Sequence, residues 1–179
     1  MHKNIMNQLY WSSWFSTTIF VGILAGYFIS HSVLLGPFFS WFIESGKVDL
    51  LHQTFSVYRE TAGYSHLYNL YYAPILFSLI SGGIWTILAF ILKRDRVISI
   101  FAGLPTYFMS AIFLATGFSN TENAVMSGIA DDATNRLFAL ENVPIHTSFA
   151  IIHTISFLLL LVIVLRKVCN SAAQPTPTV

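Results

Sequence analysis

A chain of 179 residues has room for one compact domain, and with 55% hydrophobic and only 9% charged residues it lacks the roughly 25% charge of an ordinary soluble domain. A formal net charge of +1 leaves no basic surface for nucleic acid. The single cysteine, Cys169, excludes an intramolecular disulfide and any zinc or iron–sulfur site built on cysteine ligands.

The charges are clustered, and four long stretches carry none: between Lys3 and Glu44, Glu60 and Lys93, Arg96 and Glu122, and Glu141 and Arg166. A membrane-spanning helix needs about 20 apolar residues, so each gap holds one. The expected fold is all-α, a four-helix transmembrane bundle in a single domain over residues 1–169, followed by a disordered tail, 170–179, containing Pro175 and Pro177. The first span is expected near Trp14–Leu35. Its start has one lysine, a polar Trp-containing stretch and an apolar run too long for a signal core, so it reads as an anchor rather than a cleavable leader. Gly22 and Gly26 form a small-xxx-small pair suited to close helix packing. Phe38–Arg59 mixes aromatics with charges and reads as an amphipathic helix on the bilayer surface.

The second span is expected near Tyr71–Leu92, with Pro74 either kinking it or sitting in its first turn. A tight hairpin at Lys93–Arg96 leads to the third span, Val97–Phe118, where Pro105 should kink the helix and free a carbonyl. Asn123–Leu140 is expected to form a short outer helix with Asp131 and Asp132 near its middle. The fourth span is expected at His146–Leu165. Lys3, Lys93, Arg94, Arg96, Arg166 and Lys167 fall on one side, against Lys47, Arg59 and Arg136 on the other. That bias puts both termini in the cytoplasm. Trp11, Trp14 and Trp41 lie near the expected interfaces as anchors, and Trp85 falls inside a span.

Histidine is the only residue type in the expected spans that titrates near neutral pH, and ionisable groups in a membrane tend to mark function. His31, His66, His146 and His153 all fall in the outer half, with Glu122 and Asn120 near the end of the third span. His146 and His153 are seven residues apart, on one helix face. The four histidines and Glu122 are candidate ligands for iron, copper or zinc, and His31 and His153 for haem. The plainer alternative for His66 and His146 is a place in the headgroup zone, and for His31 and His153 a hydrogen bond to a neighbouring helix.

Val21 to Phe28, a Gly-Ala-Gly-rich first span that ends at Gly36-Pro37, resembles the anthrone-oxygenase-like family of small four-span membrane proteins. Asn135-Arg136-Leu137 and His153 resemble it as well. The resemblance implies oxidation of a lipophilic small molecule at a membrane-embedded site. It gives His153 the role of proton acceptor or metal ligand, and makes Asn135 a polar group positioning the substrate or the loop above it. Beside this oxidoreductase reading stand a haem-binding electron carrier and a non-catalytic subunit that binds membrane protein partners. Four spans with no intramembrane acid and no repeated broken helices do not read as a transporter.

Overall fold

A computed structural model describes the backbone of residues 2–58 and 64–172, and their side chains except those of 2, 56, 64–71 and 170–172. Among the described residues all regular structure is helical. Helix α1 (His2–Ser30) passes through a π-helical turn (His31–Leu35) into α2 (Gly36–Glu44). A short α3 (Val48–Leu51) runs into a second π-helical turn, His52–Ser56. Then come α4 (Tyr64–Ile91), α5 (Arg96–Gly103), α6 (Pro105–Thr116), α7 (Phe118–Met126) and α8 (Asp132–Ala172).

Among the described residues three helices are long and apolar enough to cross a membrane: Lys3–Glu44, Tyr72–Ile91 and Asp132–Cys169. The pair α5 and α6, bent by 50° at its break, makes a fourth when counted as one span. The outside of these helices is apolar, with Phe15, Ile87, Leu114 and Leu158 exposed, while Thr17, Ser78, Ser99, Thr106 and Ser156 are buried. That is the reverse of the arrangement water imposes on a soluble protein.

The first and last helices run well past the expected spans. At 1.5 Å per residue, the 42 residues of Lys3–Glu44 reach about 60 Å, twice the hydrocarbon thickness. Within Phe38–Arg59 the structure divides the expected surface helix: Gly36–Glu44 continues the first helix, and Val48–Ser56 forms a separate short helical stretch after it. Asn123–Leu140 do not form a helix of their own. α7 stops at Met126, Gly128 takes a positive φ of 72°, and α8 starts at Asp132. The backbone N–H of Thr134 donates to Asp131 Oδ1 at 2.8 Å, an N-cap that begins the helix well before His146. Hydrogen bonds from Thr134 hold the Asp131 carboxyl below its usual range. α8 also continues to Ala172, into the expected tail, whose residues 173–179 lie outside the described ones.

Pro105 acts as its chemistry demands. It opens α6 with no N–H to give to Phe101, and the Phe101 carbonyl accepts the Ser156 hydroxyl from α8 at 2.8 Å. Pro74 lies inside α4, which begins at Tyr64, so it is not in the first turn. Trp85 is fully buried beside Tyr10 and anchors nothing at an interface.

α1 packs against both α4 and α8, and α5 lies on α4 and α8. Gly22 meets Phe157 of α8, whose ring a Cβ would approach to 2.9 Å, while Gly26 faces open space. A closer approach joins α4 to α5: a methyl on Gly82 would run into the Gly103 carbonyl oxygen. Gly82→Ala is expected to destabilise the protein by about 1–3 kcal/mol, the usual range for overpacking. Gly26→Ala should leave stability unchanged. Thermal unfolding of the detergent-purified variants measures both.

Candidate functional site

The site begins at the π-helical turn, where the Gly36 N–H reaches back to the His31 carbonyl. Pro37 has no N–H and its ring crowds the preceding turn, and the helix widens by a residue instead of breaking. His31 is buried there, facing Asn142 and His146 of α8, both also buried.

Asn142 fixes the arrangement. Its Nδ2 donates to the Gly36 carbonyl at 3.1 Å, and its Oδ1 lies 3.3 Å from His31 Nε2. A carbonyl only accepts, so the Gly36 bond sets the orientation of the amide, and the hydrogen on His31 Nε2 points to Oδ1. The lone pair of His31 Nδ1 then faces the Tyr27 hydroxyl at 3.5 Å. His146 Nδ1 donates to the backbone carbonyl of Asn142 at 2.8 Å. The two imidazoles stack with centroids 3.6 Å apart and planes 19° apart. In the neutral ring this bonding leaves the lone pair on His146 Nε2, which takes part in no hydrogen bond among the described residues. Phe28, Phe118 and Phe149 surround that ring at centroid distances of 6.3, 5.7 and 5.9 Å.

His153 lies two turns further along α8 and is fully buried. Its Nδ1 donates to the Phe149 carbonyl at 2.9 Å, and its Nε2 accepts from the Thr106 hydroxyl at 3.3 Å. Thr106 must then accept from Ser78 at 2.7 Å. Phe28 lies against both His153 and His146, at 4.9 and 6.3 Å.

Of the sequence candidates, His31 and His146 stand together, with His153 joined to them through Phe28. Asn135 is buried one heptad before Asn142, and its Oδ1 has no partner. Glu122 is on α7 and half-buried, and it joins no group of three or more potential ligands among the described residues. The side chain of His66 lies outside the described residues. His52 is elsewhere, beside Gly128, with Nε2 buried and unpartnered. Sequence reading passed over Asn142 and Thr106. The signal for Asn142 was there in its place one turn before His146, in a stretch free of charge.

Rings stacked at 3.6 Å leave no room for a porphyrin between His31 and His146. His31 and His153 each use both nitrogens within the protein, leaving only His146 Nε2 uncommitted. Among the described residues no three His, Cys, Asp or Glu side chains gather to hold a metal ion. As bonded among the described residues, His31 and His153 have no lone pair to offer haem, iron or copper, and His146 Nε2 alone keeps one.

Asn142→Leu would leave the His31 Nε2–H without its partner and remove the side-chain bond to the Gly36 carbonyl. The unpaired buried donor is expected to cost about 1–3 kcal/mol, seen as a lowered unfolding temperature. Comparison of the chain with protein-family models, curated proteins and solved structures returns no match.

Proposed function

We propose that the chain is an integral membrane protein crossing the bilayer four times, with both termini cytoplasmic, and that it is an oxidoreductase acting on a lipophilic substrate. Its working centre is His31, Asn142 and His146 in the outer half of a transmembrane bundle, with His146 as proton acceptor. One observation carries this reading: His146 Nε2 holds a lone pair among phenylalanine rings, its tautomer set by Asn142, with no donor bound to it. A positioned base of this kind serves a substrate that partitions into apolar surroundings. Asn135 Oδ1, buried and unpartnered, is an acceptor for a substrate hydroxyl. The described residues offer no electron acceptor, so an external oxidant such as dioxygen takes the electrons. His153, which the family resemblance favours, has no nitrogen to spare and acts as a positioning group through Phe28 and Thr106.

The membrane reading is supported by the apolar exterior, the buried hydroxyls and the gathering of Lys93, Arg94, Arg96, Arg166 and Lys167 outside the apolar stretches. The exposed Cys169 is the chain's only thiol. A membrane-impermeant maleimide is expected to label it in inside-out vesicles and to spare it in intact cells. Labelling of intact cells would reverse the topology.

A second reading, a non-catalytic subunit of a membrane assembly, draws on the two open concavities. One is lined by Lys93, Arg96 and Arg166, the other by Leu9, Ser13, Phe20 and Phe77, and neither touches a histidine. In lipid nanodiscs, oxygen uptake with an anthrone-type phenol is expected to fall about a hundredfold or more in His146→Phe, the scale of a lost general base. Uptake should be unchanged in His52→Phe. A protein with no turnover, silent histidine substitutions and a fixed co-purifying partner would be the subunit instead. A Soret band on the purified sample would make the histidines ligands and end the proton-acceptor reading.

A further inference from the structure

The hairpin between α4 and α5 is held in an unusual conformation. Lys93 and Asp95 both take left-handed backbone angles, with φ of 57° and 46°, which non-glycine residues seldom adopt. Two side-chain bonds to α1 hold it there: Tyr10 donates to Asp95 Oδ2 at 2.8 Å, and Arg94 donates to Asn7 at 3.0 Å. Beside the hairpin lies an open concavity of about 490 Å³ lined by Lys93, Asp95, Arg96, Val97, Ile98 and Arg166. Three cations from two separate segments thus face one space. The single carboxylate among them is already bonded to Tyr10, and no ion pair neutralises the cations among the described residues.

The lining is two-sided. Val97, 68% exposed, sits at its edge, and Phe101, one turn further along α5, is 59% exposed. An apolar track therefore leads from the three cations along the helix. A ligand matching both parts carries a phosphate at one end and a hydrocarbon chain at the other. Basic pockets between spanning helices on the cytoplasmic side bind anionic headgroups in this way.

We infer that this concavity is a binding site for the phosphate of an anionic phospholipid, with Lys93, Arg96 and Arg166 around the headgroup and an acyl chain along Val97 and Phe101. The site rests on the membrane reading and is independent of the histidine centre.

The test is native mass spectrometry of the full-length protein, released from micelles doped with equal amounts of phosphatidylglycerol and phosphatidylcholine of the same chain length. Wild type is expected to retain phosphatidylglycerol preferentially. The double variant K93Q/R166Q should lose that preference by roughly tenfold or more, because each basic residue near an anionic headgroup contributes severalfold to its affinity. Both side chains are exposed, so an unchanged unfolding temperature is expected and confirms that the variant is folded. Lys47→Gln, remote from the site, should keep the preference. Millimolar inorganic phosphate should not displace the bound lipid. Equal retention of the two lipids by wild type, or a preference that survives in the double variant, overturns the inference. Phosphate binding without lipid preference also overturns it, and makes the site one for a free anion.

Discussion

Asn142 joins the first helix to the last through both ends of its side-chain amide, and its backbone carbonyl holds His146 on its own helix. Its side-chain amide donates to the Gly36 carbonyl and accepts from His31, while its backbone carbonyl accepts from His146. In an interior without water, leaving any of these groups unpaired costs far more than pairing it gains. The ring stack follows from this bonding, since both imidazoles are tethered to the same residue, one to its side chain and one to its backbone. The contact is close because residue 36 is glycine. A Cβ there would sit 3.0 Å from the His31 carbonyl oxygen and 3.3 Å from a Val143 methyl. The proline at 37, the widened turn, the glycine at 36 and the asparagine on α8 are parts of one solution to a break in helical hydrogen bonding.

The same rule applies around Pro105. The carbonyl it frees at Phe101 is taken by Ser156, and the carbonyl of Ser99 is taken by Thr86 of α4. Irregular backbone inside an apolar bundle is tolerated where neighbouring side chains satisfy it. Both proline sites are answered from α8. Seven of its buried residues fall on one stripe at alternating steps of four and three: Asn142, His146, Phe149, His153, Ser156, Leu160 and Ile163. The upper part of the stripe carries the polar partners and the lower part is apolar. One face of α8 therefore supplies both the histidine centre and the tie to the broken helix.

Much of this was legible in the sequence, in proportion to how local each signal was. The uncharged gaps located the apolar segments because charge is costly in hydrocarbon wherever it falls. Pro105 announced its break because a missing N–H is a property of one residue. The segments after the first span and before the last were less legible. Their mixture of aromatics and charges fits a separate short helix as well as a continuation of the long one, and only tertiary packing separates the two. Cluster packing of Phe39, Phe42, Phe118 and Phe138 decides it. The start of α8 could have been read from Gly128 and Asp131, a stop followed by a cap. Of the Gly22–Gly26 pair only Gly22 meets another helix, while Gly82 and Gly103, far apart in sequence, make the tightest crossing. The pairing of His31 with His146 depends on helix rotation, and no periodicity within either helix encodes it.

What a buried histidine can do is set by which of its nitrogens the protein has already used. A metal centre needs several lone pairs converging on one point, with the remote nitrogens occupied by orienting partners. Here His31 and His153 are bonded through both nitrogens and His146 through one. Bonding at both ends holds a ring in place and stops it from acting as a ligand. Bonding at Nδ1 alone orients the ring and fixes its tautomer, leaving the lone pair on the other nitrogen, the arrangement in which a carbonyl or carboxylate sets the tautomer of a working histidine. The three imidazoles are thus unequal in role although they lie close together. Phe28 stands between His146 and His153, His31 stacks on the His146 ring, and of the three only His146 keeps a nitrogen with no hydrogen bond among the described residues.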